Sequence, residues 1–348
     1  MPHPSRLLAA LLAVAATTAS TLAAQQPQRV SLTGTSFEFY NLIGTIQVEG
    51  TSGGPAAEVT FQGADGAKLS LHRDGSTVSI VFPGTDFVYA GMGANSESDM
   101  RVREDGTFGG NDRGGGRKVR IRGRGNDGLN AWAEMKILLP RGTRAEVNLG
   151  VGKVTLANVD GHIMVDTGSG DVEGSGTAGS LSVDTGSGDV TLTGHTGELS
   201  VDTGSGDIVL GKVSGGPVNL DTGSGDVRVD GLTSPSLKVD TGSGDVMVSG
   251  AAVGSIGVDT GSGDVSLGLT ADITDLDVDT GSGDVTVTAP RSLGVRVEVE
   301  TSSGDITTEF PLQVTRKSRD GLTGTIGNGE GTLTVDTGSG DIVLRQQS

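Results

Sequence analysis

The sequence predicts an all-β fold: a β-solenoid, a single-stack β-helix of 18–21 residue coils, behind an irregular β capping region. Three observations predict it. The hexapeptide Asp-Thr-Gly-Ser-Gly-Asp begins at Asp166, Asp184, Asp202, Asp221, Asp240, Asp259, Asp279 and Asp336, with successive spacings of 18, 18, 19, 19, 19, 20 and 57. A fixed short period of this kind marks a repeat array. Around each copy, apolar and polar residues alternate: in "GSLSVDTGSGDVTLTG" (179–194), Leu181, Val183, Val190 and Leu192 share one face, the pattern of two short strands flanking a turn. Composition supplies the third. Glycine reaches 60 of 348 residues and aromatics only 3%, yet hydrophobic residues make up 34%. That is too apolar for a disordered glycine linker and too poor in rings for a thick globular core. A thin aliphatic core satisfies both.

Residues 1–24 read as a secretory signal. His3 and Arg6 precede the apolar run 7–16, and "TLAA" (21–24) offers small residues for cleavage. The run is too short and too alanine-rich to span about 30 Å of hydrocarbon, so the mature chain is expected to be exported without a transmembrane segment, to the periplasm, the cell surface or the medium. No cysteine occurs. Disulfides, thiolate zinc sites, cysteine nucleophiles and a lipid-modified N-terminal cysteine are therefore excluded.

Residues 25–145 hold nine of the ten aromatics, with alternating runs such as "TIQVEG", "TVSIVF" and "AEMKILLP". They are expected to form the cap, because a bare terminal coil exposes sheet edges. A Gly/Arg-rich insertion lies within them, and "NLIGTIQVEG" at Asn41 echoes "NLGVGKVTLANV" at Asn148. Residues 146–348 form the array. Asn148 and Glu300 open degenerate copies, and a last coil closes the chain at Leu344. Two folds could use this unit. In an antiparallel meander, Thr-Gly-Ser-Gly is a hairpin loop. In a solenoid, coils stack at about 4.8 Å with like residue on like, and the near-identity of the copies favours this arrangement. Gly186 and Gly188 are expected to supply backbone angles that other residues resist.

The segments "LPRGTRAEVNLGVGKVTLANVDGHIMVDTGSGDV" (139–172) and "LTGTIGNGEGTLTVDTGSGDIVL" (322–344), with the coils between them, resemble a bacterial family filed as "putative adhesin", a domain of unknown function built on repeated G-S-G-D-[VI] coils. The resemblance covers roughly 40–345 and implies an exported β-solenoid. The long Gly/Arg insertion near 91–128 and the uniform Asp-Thr-Gly-Ser copies depart from it.

Asp-Thr-Gly-Ser also carries the catalytic aspartate of pepsin-like and retroviral proteases. Those enzymes bring two such aspartates together, each in its own lobe. A period of 18–21 residues leaves no room for lobes, so an aspartic protease is a distant third reading, and no catalytic residue is assigned. Calcium is the stronger alternative. Asp166, Asp171, Asp184, Asp189, Asp202, Asp207, Asp221, Asp226, Asp240, Asp245, Asp259, Asp264, Asp279 and Asp284 bracket the turns, and calcium takes six to eight oxygens. Residues 163–300 contain 22 acidic against five basic side chains, a net charge of −17 in a chain of −18. Stacked carboxylates repel by roughly 1 kcal/mol per neighbour in water, which a column of cations would relieve. The bland alternative is that these carboxylates accept turn amides or stay hydrated, and it is the one the sequence favours. No other cofactor is expected.

One segment, "NDRGGGRKVRIRGRG" (111–125), is strongly basic, through Arg113, Arg117, Lys118, Arg120, Arg122 and Arg124. It is a candidate polyanion contact. The competing reading is a solvated glycine loop leading into an edge strand with Val119 and Ile121 inward. No aromatics interleave these arginines, and nucleic acid is not expected as a partner. The four histidines are scattered without zinc spacing. The reading is a non-enzymatic, acidic envelope or extracellular scaffold whose surface ligand the sequence does not name, with a calcium-responsive binding module as the alternative.

Overall fold

The computed structural model describes residues 26–109, 115–125 and 127–347; the signal-like segment 1–24 and Arg113 lie outside them. Among the described residues the chain is all-β, with two three-residue 3-10 turns, Gly66–Lys68 and Ala90–Met92, and no α-helix. Twenty-three strands share one hydrogen-bonded network, and three more form a small separate sheet.

Successive repeats pair in parallel, which excludes the antiparallel meander. Val183 sits beside Val201, and Asp184 beside Asp202. The alternation does what its period requires. Leu181, Val183, Val190, Leu192 and their counterparts in each layer are buried in one continuous aliphatic core, and the residues between them face out. Where one layer has Gly174 in place of an inward leucine, Leu192 of the next layer occupies the space a Cβ would need. The strand Ser36–Thr51 forms a layer that pairs in parallel with Thr143–Ala157 over nearly its whole length. Parallel stacking thus begins inside the region expected to be a cap. The echo between the two segments is offset by one residue, so that Asn148 pairs with Tyr40 and Leu149 with Asn41.

Both ends of the parallel stack are closed by antiparallel strands. At the N-terminal end, Thr77–Val81 and Trp132–Pro140 divide one layer beneath Ser36–Thr51. Ala56–Gln62, Gln28–Ser31 and Ser70–Asp74 then pair antiparallel outside them. Here the aromatics collect: Phe37 and Phe39 lie 6.2 Å apart, and Phe82 meets Phe87 edge-on at 5.5 Å. At the other end, Gly321–Ile326 and then Leu312–Lys317 pair antiparallel outside Val295–Thr301. Such closure covers the unpaired backbone row that a terminal parallel strand presents.

The final layers do not follow chain order. Asp279 pairs with Asp336, and Asp336 pairs with Glu300 on its other side. The last repeat in sequence is therefore inserted between the two before it. The Glu300 copy carries Ser302 where the intact copies have glycine. A Cβ at that position in other layers, as at Gly186, would press on the carbonyl of the layer beneath. The Ser302 amide nonetheless bonds the carbonyl of Thr337 beneath it at 3.2 Å, as the glycine amides of inner layers do.

Glycine in the turn has a different role from the expected one. Neither Gly186 nor Gly188 adopts a left-handed conformation. They are glycine because backbones approach closely: a Cβ on Gly188 would collide with the carbonyl of Gly170, and each later copy repeats the collision. Left-handed residues do stack in a column at another corner, namely Asn158, Gly176, Gly194, Lys212, Gly231 and Gly250. Two of the six are not glycine.

Candidate binding face

The hexapeptide divides its work. Its threonine is buried in every layer and ties that layer to the next. Thr203 Oγ1 donates to Gly188 O of the preceding layer at 3.1 Å and accepts the amide of Gly206 in its own turn at 3.0 Å. Thr185 and Thr222 make the same pair of bonds. Its second aspartate also bridges layers. The carboxylate of Asp189 accepts the amide of Asp207 at 3.0 Å, and Asp207 accepts that of Asp226 at 2.9 Å. The chain of bonds runs from Asp171 through Asp226, Asp245, Asp264, Asp284 and Asp341 to Asp305. Each such bond, a carboxylate on a backbone donor, contributes on the order of 1 kcal/mol.

The first aspartate has no such duty. Among the described residues, the carboxylates of Asp166, Asp184, Asp202, Asp221, Asp240, Asp259, Asp279 and Asp336 accept no hydrogen bond and enter no ion pair. They lie in register, closed by Glu300, as a row of nine acidic side chains on the outer face. Crowding by surrounding protein and then the charges of Asp184 and Glu146 push the Asp166 carboxyl above its ordinary value. The same two causes, with Asp184 as neighbour, raise Asp202. Asp221 is raised by crowding and by Asp202 and Asp240 on either side, with Lys238 opposing. Between the two aspartate rows runs a third, of exposed serine hydroxyls such as Ser187 and Ser205.

The fourteen calcium candidates thus fall into two classes. Asp171, Asp189, Asp207, Asp226, Asp245, Asp264 and Asp284 each commit one oxygen to an amide. Asp166, Asp184, Asp202, Asp221, Asp240, Asp259 and Asp279 keep both free. No three His, Cys, Asp or Glu side chains among the described residues gather around one point. Nor do the Asp-Thr-Gly-Ser strings meet as a facing pair; they form a column.

The basic insertion folds as a three-stranded sheet of Asp86–Val88, Glu97–Val102 and Arg117–Arg122, with Val119 and Ile121 fully buried. Three of its cations are matched within it. Lys118 pairs with Asp99 at 2.8 Å, Arg120 with Glu97 at 3.0 Å and Asp99 at 3.1 Å, and Arg122 with Glu97 at 3.2 Å. Asp99 is held below the usual carboxylate range by its hydrogen bonds from Lys118 and Arg120. Arg117 donates to the carbonyls of Phe82 and Gly84. Arg124 remains exposed.

Sequence reasoning missed the threonine. A signal was available: the degenerate copy "ETSSGDI" changes the first Asp and the first Gly but keeps Thr301, Gly304 and Asp305, the three residues whose backbone or side chain joins layers.

Residues 132–345 match the family described as Toastrack DUF4097. No curated protein matches the chain. Three solved structures are similar over most of their length. One, described as a putative lipid binding protein from Parabacteroides distasonis, is 11% identical and has a TM-score of 0.45, with 93% of this chain and 96% of that one covered. A putative adhesin from the same organism is 10% identical at a TM-score of 0.34, covering 92% and 96%. A putative cell adhesion protein from Clostridium sporogenes is 10% identical at 0.19, covering 92% and 99%.

Proposed function

The chain belongs to the Toastrack DUF4097 family, and on that premise we propose that it is a non-enzymatic, exported β-solenoid whose free aspartate row is an adhesive face for a cationic surface or partner. One observation carries the reading. Thr203 and Asp207 in each period are spent on joining layers, while Asp202 and its counterparts repeat at every layer with no structural task. Retaining like charges at about 4.8 Å spacing opposes folding. A face of many weak equivalent sites gains from multivalency, which is what an adhesive scaffold needs. Export rests on the signal-like residues 1–24.

A second reading takes the cation to be calcium. The upward push on Asp166, Asp202 and Asp221, caused first by crowding and then by neighbouring carboxylates, supports it, because bound ions would relieve the part that is repulsion. One pair of experiments separates the two. Mature protein is captured on a lysine-polymer surface, and its melting is followed by circular dichroism with millimolar calcium and with chelator. The adhesive reading expects salt-sensitive capture that is weakened in Asp202→Ala/Asp221→Ala/Asp240→Ala, with melting unchanged by calcium. A large calcium-dependent rise in melting temperature would transfer the row to the ion. Failure of both would remove the row from function.

A further inference from the structure

The basic insertion does more than close on itself. It lies across the first turns of the stack, where Met100 packs over Gly150 and Gly168: a Cβ on Gly150 would come within 2.8 Å of its sulfur. Between the insertion and the turns is a cavity of about 430 Å³, roofed by Met92, Ser96 and Glu97 and floored by Ser169, Asp171 and Ser187. That volume falls within the range of about 300–1,000 Å³ of small-molecule sites. The roof lies outside the family-matched residues 132–345 and the floor within them, so in this chain the insertion supplies the roof.

The lining selects a chemistry. Three serine hydroxyls, each able to donate and accept, suit a ligand rich in hydroxyl groups. Glu97 is fixed and neutralised by Arg120 at 3.0 Å and Arg122 at 3.2 Å, one on each oxygen. Asp171 uses Oδ1 to accept the Asp189 amide at 3.2 Å; among the described residues its other oxygen accepts no hydrogen bond and it enters no ion pair, the neighbouring Lys153 being held by Glu173 at 2.6 Å. Among the described residues no lysine or arginine lines the cavity. An anion is therefore repelled, and a cationic group on the ligand gains a charge-assisted hydrogen bond.

We propose that this cavity binds one amine-bearing, polyhydroxylated small molecule of the size of an amino sugar, with Asp171 holding the ammonium and Ser96, Ser169 and Ser187 the hydroxyls. The site is separate from the aspartate row and takes one ligand per chain, whereas the row offers many.

The test is calorimetric titration of the mature chain with glucosamine, glucose and glucuronate, which differ in charge on a common ring. Expected is saturable glucosamine binding at one site per chain, glucose weaker by about tenfold or more, and no glucuronate binding. Asp171→Asn keeps an acceptor for the Asp189 amide while removing the charge, so it should preserve the melting temperature and abolish the preference for glucosamine. Absence of glucosamine binding at millimolar concentration, many equivalent sites per chain, or a preference unchanged in Asp171→Asn would each overturn the proposal. Many sites would point to the row alone.

Discussion

The carboxylate of Asp207 accepts the backbone amide of Asp226, one layer away, at 2.9 Å. Five residues before each of them stands an aspartate of the same charge, Asp202 and Asp221, paired in register and holding nothing. Two chemically identical side chains in one hexapeptide thus have opposite consequences for stability: one joins layers, the other strains them.

Layer contact at the turn predicts the cost of a single methyl. Gly225 lies where a Cβ would collide with the carbonyl of Gly206, and its amide must reach Thr222 at 3.0 Å. Gly225→Ala is expected to destabilise by about 1–3 kcal/mol or more, the range for overpacking. Gly257, with nothing near its Cβ, is the control, and Gly257→Ala should be close to neutral. Chemical denaturation of the two variants checks this.

His195 predicts a pH dependence. It is fully buried, with Nδ1 3.0 Å from Thr177 Oγ1 and Nε2 3.1 Å from the carbonyl of Glu198. Nε2–H donates to the carbonyl, so Nδ1 accepts from the hydroxyl and the ring is neutral. Burial pushes its pKa below the ordinary 6.5. The unfolded chain then binds the proton first, and stability present above the unfolded value is lost as pH falls below about 6.5. Asp166, Asp202 and Asp221 have the opposite sign. Their raised values mean the folded chain binds protons first, so their repulsion is relieved as pH falls toward the ordinary 3.8. Melting curves from about pH 7.5 to about 5.5 should show a decline that His195→Gln, although less stable at the start, no longer shows. An equal slope in both proteins would remove His195 as its cause.

Insertion of the last repeat predicts complementation. Gly331–Thr337 and Ile342–Gln346 lie inside the stack, so a chain truncated after 328 leaves Val295–Thr301 without its parallel partner. Hydrogen exchange should show protection reduced in Val295–Thr301, which keeps only its antiparallel partner Gly321–Ile326, and restored by a synthetic peptide of residues 329–348 added in trans. If the truncated chain keeps full protection, the Glu300 layer stacks directly on Asp279 and the inserted order is not required.

Much of this architecture was legible in the sequence, for local reasons. Period, strand pairs, inward Leu181 and Val183, and buried Val119 and Ile121 all follow from alternation, which each residue's immediate neighbours determine. Layer order was not legible, because the pairing of Asp336 with both Asp279 and Glu300 joins segments 57 and 36 residues apart, which no local pattern encodes. The role of Gly188 was misread for the same reason: a turn glycine suggests backbone angle, and close approach to Gly170 appears only once layers stack. The insertion's lining of a cavity with Asp171 likewise needs its position over the turns, which no pattern in 91–128 encodes.

The division between the two aspartates is tested most directly by thermal melts of two matched triple variants, Asp202→Ala/Asp221→Ala/Asp240→Ala and Asp207→Ala/Asp226→Ala/Asp245→Ala. The first set should melt at or above the parent temperature, since it removes only repulsion. The second should lose about 3 kcal/mol, one interlayer bond at each site. Equal losses in both sets would contradict the account, because the first row would then be holding the stack and could not be reserved for a partner.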